Sequence, residues 1–277
     1  MAQHVKPENL DVDNFIDTTK PSSGRIYDYY LGGNYNFEVD RQVGDYVVSI
    51  LPFMPKFARL QRWALQDIAI ELTERREFDV LIDFASGLPT ADHLHNFAKE
   101  GTLVIYSDYD PVVVQLANKI LKDQKNTYYF ENDATRPEDL LNRPEVVALL
   151  NGRRKVGIIF WGIAGFLFDE ELKHSMQSLY DWAAPGSTIA FNAQAAGFDV
   201  NHPQIVAMLQ LYNSFGQSSH LRTFDEFHEL VKPWVLETEF ISLLDWHGFG
   251  TSSMAHEDAA AFGPMGGGFG AYLTKKT

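Results

Sequence analysis

Five short apolar runs, each separated from the next by a stretch of helical periodicity, constrain this chain more than any other feature. The runs are FDVLIDFA (78–85), TLVIYSD (102–108), NTYYFEND (126–133), KVGIIFWG (155–162) and STIAFNA (187–193). Several are apolar at consecutive positions, the pattern of a strand covered on both faces. Helical patterns lie between them over 91–99, 111–122, 137–150 and 170–183, the last introduced by Asp169 as its cap. This alternation predicts an α/β fold with a doubly wound, mostly parallel sheet.

The flanks add to that frame. Residues 1–20 are polar and read as an arm. Ser22 or Ser23 then caps a helix through GRIYDYYL, which Gly32-Gly33 stops. A second helix is expected over 38–51 and a third over 56–75, with apolar positions at Leu60, Ala64, Leu65, Ile68 and Leu72. The chain thus divides into an arm and helical section, 1–76, and the sheet domain, 77–277. In the last third, one helix starts near Pro203 and another follows the capping box of Thr223 and Glu226. WVLETEFISLLDW and GGGFGAYLTK read as two final strands, an antiparallel pair at one edge.

A hydrophobic content of 45% over 277 residues supplies a large core. No run approaches a membrane span, and the amino terminus lacks a secretory pattern, so a cytoplasmic address is expected. A net charge of −14 repels nucleic-acid backbones and anionic membrane surfaces, and no basic run reverses it locally. With no cysteine there is no disulfide, thiolate metal site or thiol nucleophile.

In a doubly wound sheet the ligand sits at the carboxyl ends of the strands, so the loop DFASGLPTAD (83–92) is the place to look. A dinucleotide loop would need Gly-x-Gly-x-x-Gly to bring backbone N–H groups to a pyrophosphate. Here Pro89 offers no N–H, and Asp83 and Asp92 bring negative charge. A ligand with ribose hydroxyls and an ammonium group but no phosphate suits carboxylates far better. S-adenosylmethionine is such a ligand. Gly87 allows one close backbone approach and Pro89 stiffens the turn, with Thr90 beyond it. At the second strand end Asp108 is placed to hold a ribose, beside Tyr109; Asp110, before Pro111, reads equally as a ligand or a helix cap. At the third, Asp133 beside Ala134 suits an adenine amino group and its flat ring.

With these residues, and with PSSGRIYDYYLGGNYNFEVDR (21–41), YSDYDPVVVQLA, DATRPEDLL and APGSTIAF, the sequence resembles the bacterial S-adenosyl methyltransferase family, once catalogued as a domain of unknown function, within the class I Rossmann-like methyltransferases. The resemblance implies a seven-stranded sheet and methyl transfer from S-adenosylmethionine, leaving S-adenosylhomocysteine. Two departures stand out: Ala85 where the family usually has glycine, and Ala164-Gly165-Phe166 where it often has Leu-His-Phe. The first narrows the loop. The second leaves a family histidine without a counterpart.

RIYDYYLGGNYNF places Tyr27 and Tyr30 on one helical face before a sharp exit at Gly33. It reads either as a packing helix with a glycine cap or as a lid. In the lid reading the aromatic faces attract a sulfonium, Arg25 pairs with the methionine carboxylate, and the glycines act as a hinge. Trp161 is expected to line the pocket. Candidates for a general base are Tyr27 and His247. His93 and His95 resemble a metal pair, but two-residue spacing on a helix separates them and no third ligand is evident, so no metal is expected. The leading expectation is a methyltransferase acting on a small molecule, as a monomer or homodimer. The alternatives are a protein that binds the cofactor without turnover and, disfavoured by Pro89 and the acids, an NAD-dependent oxidoreductase.

Overall fold

The first five runs become strands because their branched and aromatic side chains fill both faces of a sheet. In the computed structural model of the chain, which describes residues 18–90, 92–193, 196, 199–214, 219–246 and 268–276, they are β1 (Val80–Phe84), β2 (Leu103–Asp108), β3 (Thr127–Glu131), β4 (Gly157–Phe160) and β5 (Thr188–Asn192). They run parallel in the order β3-β2-β1-β4-β5. The order reverses at β1, whose neighbours are β2 and β4, and this opens a crevice beyond its carboxyl end.

Alternation along each strand divides the core in two. Ile82, Phe84, Ile158, Phe160, Ile189 and Phe191 face one side. There they meet α5 (Pro137–Leu141), α6 (Pro144–Leu150), α7 (Asp169–Trp182) and α9 (Phe224–Leu230). Leu81, Val104, Tyr106, Ile159 and Ala190 face the other, under α3 (Met54–Ile70) and α4 (Pro111–Ile120). A third cluster joins α1 (Ser23–Tyr30), α2 (Glu38–Ile50) and the start of α3 to α8 (Pro203–Ser214), through Tyr30, Val47, Leu51, Phe57, Ile205 and Met208. The helical section preceding β1 is therefore completed by a helix from far down the chain. Among the described residues no helix is long and apolar enough to cross a membrane.

Several expectations change. The helix expected over 91–99 is absent. Only a 3-10 turn, Leu94–Asn96, is found within the described part, because side chains take the amides a helix would use. Leu94 N–H goes to His93 Nδ1 (2.9 Å), His95 N–H to the Tyr106 hydroxyl (3.0 Å) and Lys99 N–H to Thr73 Oγ1 (2.9 Å). The helix expected over 137–150 breaks into α5 and α6 at Pro144, which lacks an N–H and restricts the residue before it. Phe168, not Asp169, is the N-cap of α7; Asp169 lies in the first turn and pairs with Arg222 (2.8 Å). The two expected final strands are three: β6 (Val235–Leu236), β7 (Ile241–Ser242) and β8 (Phe269–Thr274), with the helical turn α10 (Leu243–Trp246) between β7 and β8. β8 does not lie at an edge. It runs antiparallel between β5 and β6, and among the described residues the sheet has eight strands.

Candidate functional site

The loop after β1 is pinned to β2. Ser86 N–H donates to Ser107 O (2.8 Å), and Gly87 N–H donates to Asp108 Oδ2 (3.0 Å). The Tyr129 hydroxyl donates back to Gly87 O (2.6 Å). To make this turn, Ala85 and Gly87 both take left-handed backbone conformations, φ +56° and +62°. For glycine that conformation is free; for Ala85 it costs roughly 1 kcal/mol. The alanine thus does more than narrow the loop: it strains it.

Asp108 is buried at the end of β2, and its other oxygen, Oδ1, accepts from Asp110 N–H (3.0 Å). Burial pushes its carboxyl up to about 6, against the pull of those backbone donors. Asp110 is a cap: it accepts from Val112 N–H (2.8 Å) and pairs with Arg25.

These groups border a cavity of about 770 Å³, open over the strand ends and roofed by α1, α2, α3 and α8. Of the residues expected at the cofactor, Ala85, Gly87, Asp108, Tyr109, Asp133, Ala134, Trp161 and Tyr30 line it, as does Tyr27. Asp133 is exposed, its Oδ1 closing a turn on Thr135 (2.9 Å to the N–H and to the hydroxyl). The other expected residues do not line it. Asp83 is buried beneath the loop with Oδ2 4.0 Å from His93 Nε2, and burial raises its carboxyl well above the ordinary value. Pro89 is buried, and Thr90 braces Asp92 (3.2 Å); both shape the loop from behind.

Arg25 is not available to a methionine carboxylate. Its Nε donates to Asp40 (2.8 Å), Nη1 to Asp110 (3.3 Å) and Nη2 to Lys20 O (2.5 Å), at 1% exposure. The expected capping role of Ser22 is also displaced: it holds the N-cap position but makes no side-chain cap, and its N–H goes to Asp40 (3.0 Å). Gly33 serves packing, since a Cβ there would stand 2.1 Å from Asp28 Oδ1. Asp28 in turn accepts from Tyr35 N–H and Asn36 Nδ2, both at 2.9 Å. The Gly32-Gly33 exit is therefore fastened by a buried polar network, not built as a hinge.

The buried cation at the cavity, which Lys20 also lines, is Arg62, and sequence reading missed it. It lines the cavity at 2% exposure, lies over the Tyr27 ring (5.6 Å) and reaches Asp92 through Nη1 (3.4 Å), while its Nε has no partner among the described residues. The signal was present: Arg62 falls on the inward stripe of α3 between Ala58 and Leu65, where a charge is out of place. Asn132 and Asn192, also missed, line the cavity at the ends of β3 and β5.

Of the two proposed bases, Tyr27 is not free to accept a proton. Tyr27 donates its hydroxyl to Ala58 O (2.7 Å), and burial raises it to about 12, so it is locked in its protonated form. His247 lies outside the described residues. His93 and His95 are not on an α-helix, and their rings converge on one atom, the Tyr106 hydroxyl, at 3.2 and 3.0 Å. Burial and then the Arg62 charge lower both, His95 to about 4, which keeps the pair neutral near pH 7.

The sequence model of a protein family described as S-adenosyl methyltransferase matches residues 10–268. Two solved structures share the fold over nearly all of both chains. A candidate methyltransferase of Thermobifida fusca YX is 25% identical with a TM-score of 0.80, covering 94% of this chain and 97% of that one. A DUF574 family protein of Streptomyces avermitilis MA-4680 is 27% identical with a TM-score of 0.76, covering 94% and 99%. No curated protein matches the chain.

Proposed function

Because the chain belongs to the S-adenosyl methyltransferase family and is accordingly an S-adenosylmethionine-dependent methyltransferase, we propose that its cavity holds the cofactor over the ends of β1–β3 and a small-molecule acceptor under the helical roof. The observation that carries this is the chemical division of the cavity: carboxylates, amides and a left-handed loop at the strand ends, and a mostly apolar surface beneath the helices, interrupted by Gln61 and Arg62 of α3.

The residues present fit the cofactor. The Gly87 turn has no Cβ and permits close backbone approach. Asp108 accepts backbone N–H groups of Gly87 on Oδ2 and Asp110 on Oδ1, with Tyr109 N–H a third donor to the carboxylate, and its remaining acceptor capacity serves a ribose hydroxyl. Asn132, Asp133 and Ala134 border the adenine position, with Tyr109 at the rim. Arg62, buried with an unpartnered Nε, takes the amino-acid carboxylate in place of the expected Arg25. When bound, the cofactor supplies an electrophilic methyl group on a sulfonium. The chain's own contribution is to fix both reactants in line and to exclude water under the helices. Tyr27, committed to Ala58 O, orients the Arg62 guanidinium and does not accept a proton. Within this reading the protein works in the bacterial cytoplasm, as a monomer or homodimer, on a small molecule and not on nucleic acid or a membrane.

Isothermal titration with S-adenosylhomocysteine, adenosine and NAD tests the cofactor half. S-adenosylhomocysteine should bind most tightly, adenosine more weakly through Asp108 alone, and NAD not at all. Binding of NAD with no binding of S-adenosylhomocysteine would overturn the reading.

A further inference from the structure

At the ends of β4 and β5 the cavity holds two polar groups that the cofactor assignment does not use. Phe160 pairs with Phe191 in the last register position of these parallel strands, so Trp161 and Asn192 stand side by side one step beyond. Their side chains project to the same face, about 5 Å apart at the backbone. Both line the cavity, at 6% and 1% exposure. Neither Trp161 Nε1 nor Asn192 Oδ1 has a hydrogen-bond partner among the described residues.

Their orientation is fixed by neighbours. Asn192 Nδ2 donates to Phe269 O (2.8 Å), which settles which end of the amide is nitrogen and leaves oxygen, an acceptor only, unmatched. The six-membered ring of Trp161 is seated over Gly270, where a Cβ would come within 2.6 Å, and against Trp246 at 5.6 Å between centroids. The indole N–H is a donor only. Burying an unmatched donor or acceptor is costly, so a pair of opposite sense, side by side at a cavity, selects for a ligand that answers both.

The cofactor does not answer them. Its nucleoside is assigned to Asp108, Asn132 and Asp133 at β2 and β3, on the far side of β1, and its carboxylate to Arg62. The remaining space runs under Ile26, Tyr30, Val47, Met54, Phe57 and Leu211, an apolar and aromatic surface. Resting on the methyltransferase reading above, we propose that Trp161 and Asn192 select the acceptor: an apolar, ring-bearing molecule carrying a hydrogen-bond acceptor and a donor on one carbon, as in a carboxamide or a lactam. The acceptor's carbonyl oxygen takes the Trp161 N–H, and its N–H donates to Asn192 Oδ1. This moves Trp161 from the cofactor to the acceptor side of the site. A site built to satisfy such a pair rejects isosteres that lack one member, because the protein group is then left buried and unpaired.

The test uses the full chain loaded with S-adenosylhomocysteine and three probes of one shape: 2-naphthamide, methyl 2-naphthoate and 2-ethylnaphthalene. Calorimetry should rank them amide, ester, hydrocarbon, with roughly tenfold steps for each hydrogen bond gained. Asn192→Ala should erase the step between amide and ester and leave the ester unchanged. Phe269 O keeps the Ala193 N–H in that variant, so the fold is not put at risk. Trp161→Phe should weaken amide and ester alike and leave the hydrocarbon unchanged. Both variants should bind S-adenosylhomocysteine within threefold of wild type. Absence of an amide preference in the loaded wild type, or a larger loss of cofactor affinity in the variants, overturns the assignment. If wild type does not bind S-adenosylhomocysteine at all, the methyltransferase cavity itself is misassigned and the proposal falls with it.

Discussion

The two halves of the cavity are built by opposite strategies. Over the strand ends the polar groups are held by backbone donors of the strand-end loops: Asp108 by Gly87 and Asp110, Asp133 by its own turn on Thr135. Under the roof the surface comes from four helices that meet only in the folded chain, with residues as distant as Tyr30 and Leu211 in one cluster. What holds that roof is the Arg25 network, which ties α1 to α2 through Asp40 and to the start of α4 through Asp110. In the proposed assignment, the nucleoside is met by groups that successive strand ends carry, and the acceptor by a surface that only the assembled helices make.

Breaking the roof tests the comparison most severely. Arg25→Ala strands Asp40, which is fully buried, and should cost about 3–5 kcal/mol in chemical denaturation. If the two halves are independent, the variant that remains folded should still bind adenosine as wild type does. On the strand-end side, Asp108→Asn should weaken S-adenosylhomocysteine about 100-fold, the loss of a charge-assisted hydrogen bond, with little effect on the roof. Arg62→Met sharpens the division within the cofactor half. It should weaken S-adenosylhomocysteine about tenfold while leaving adenosine, which has no carboxylate, within twofold.

A pH titration reads Asp108 without mutation. Burial raises its carboxyl to about 6 in the free protein. The ionised form accepts a ribose hydroxyl, so affinity should be full above that value and fall as pH drops through it, about tenfold by pH 5. The Asp108→Asn variant should lack that limb. The smallest effect is expected at Ala85→Gly, which relieves a left-handed alanine at φ +56°. The expected gain is up to about 1 kcal/mol in stability, with cofactor affinity within threefold.

The same contrast explains what was legible in the sequence. The parallel strands, and the gathering of Asp108, Asp133 and the Gly87 turn at one cavity, were readable because the apolar runs mark where each strand stops. Arg25 and Gly33 were misassigned because their partners, Asp40 and Asp28, lie elsewhere on α1 and α2, and a free cation near a pocket looks the same in sequence as a clamped one. The helix expected over 91–99 failed for a related reason: its amides were taken by Tyr106 and Thr73, from other elements. Arg62 and Asn192 escaped notice because a lone arginine in an amphipathic helix and a lone asparagine at a strand end acquire meaning only when burial denies them partners.

The most direct measurement is a crystal structure with S-adenosylhomocysteine bound. The division of the cavity predicts a ribose hydroxyl on Asp108, the amino-acid carboxylate on Arg62, and open space beside Trp161 and Asn192 under the roof. An adenosine ring lodged among Tyr30, Val47, Met54 and Phe57, with Asp108 uncontacted, would contradict it.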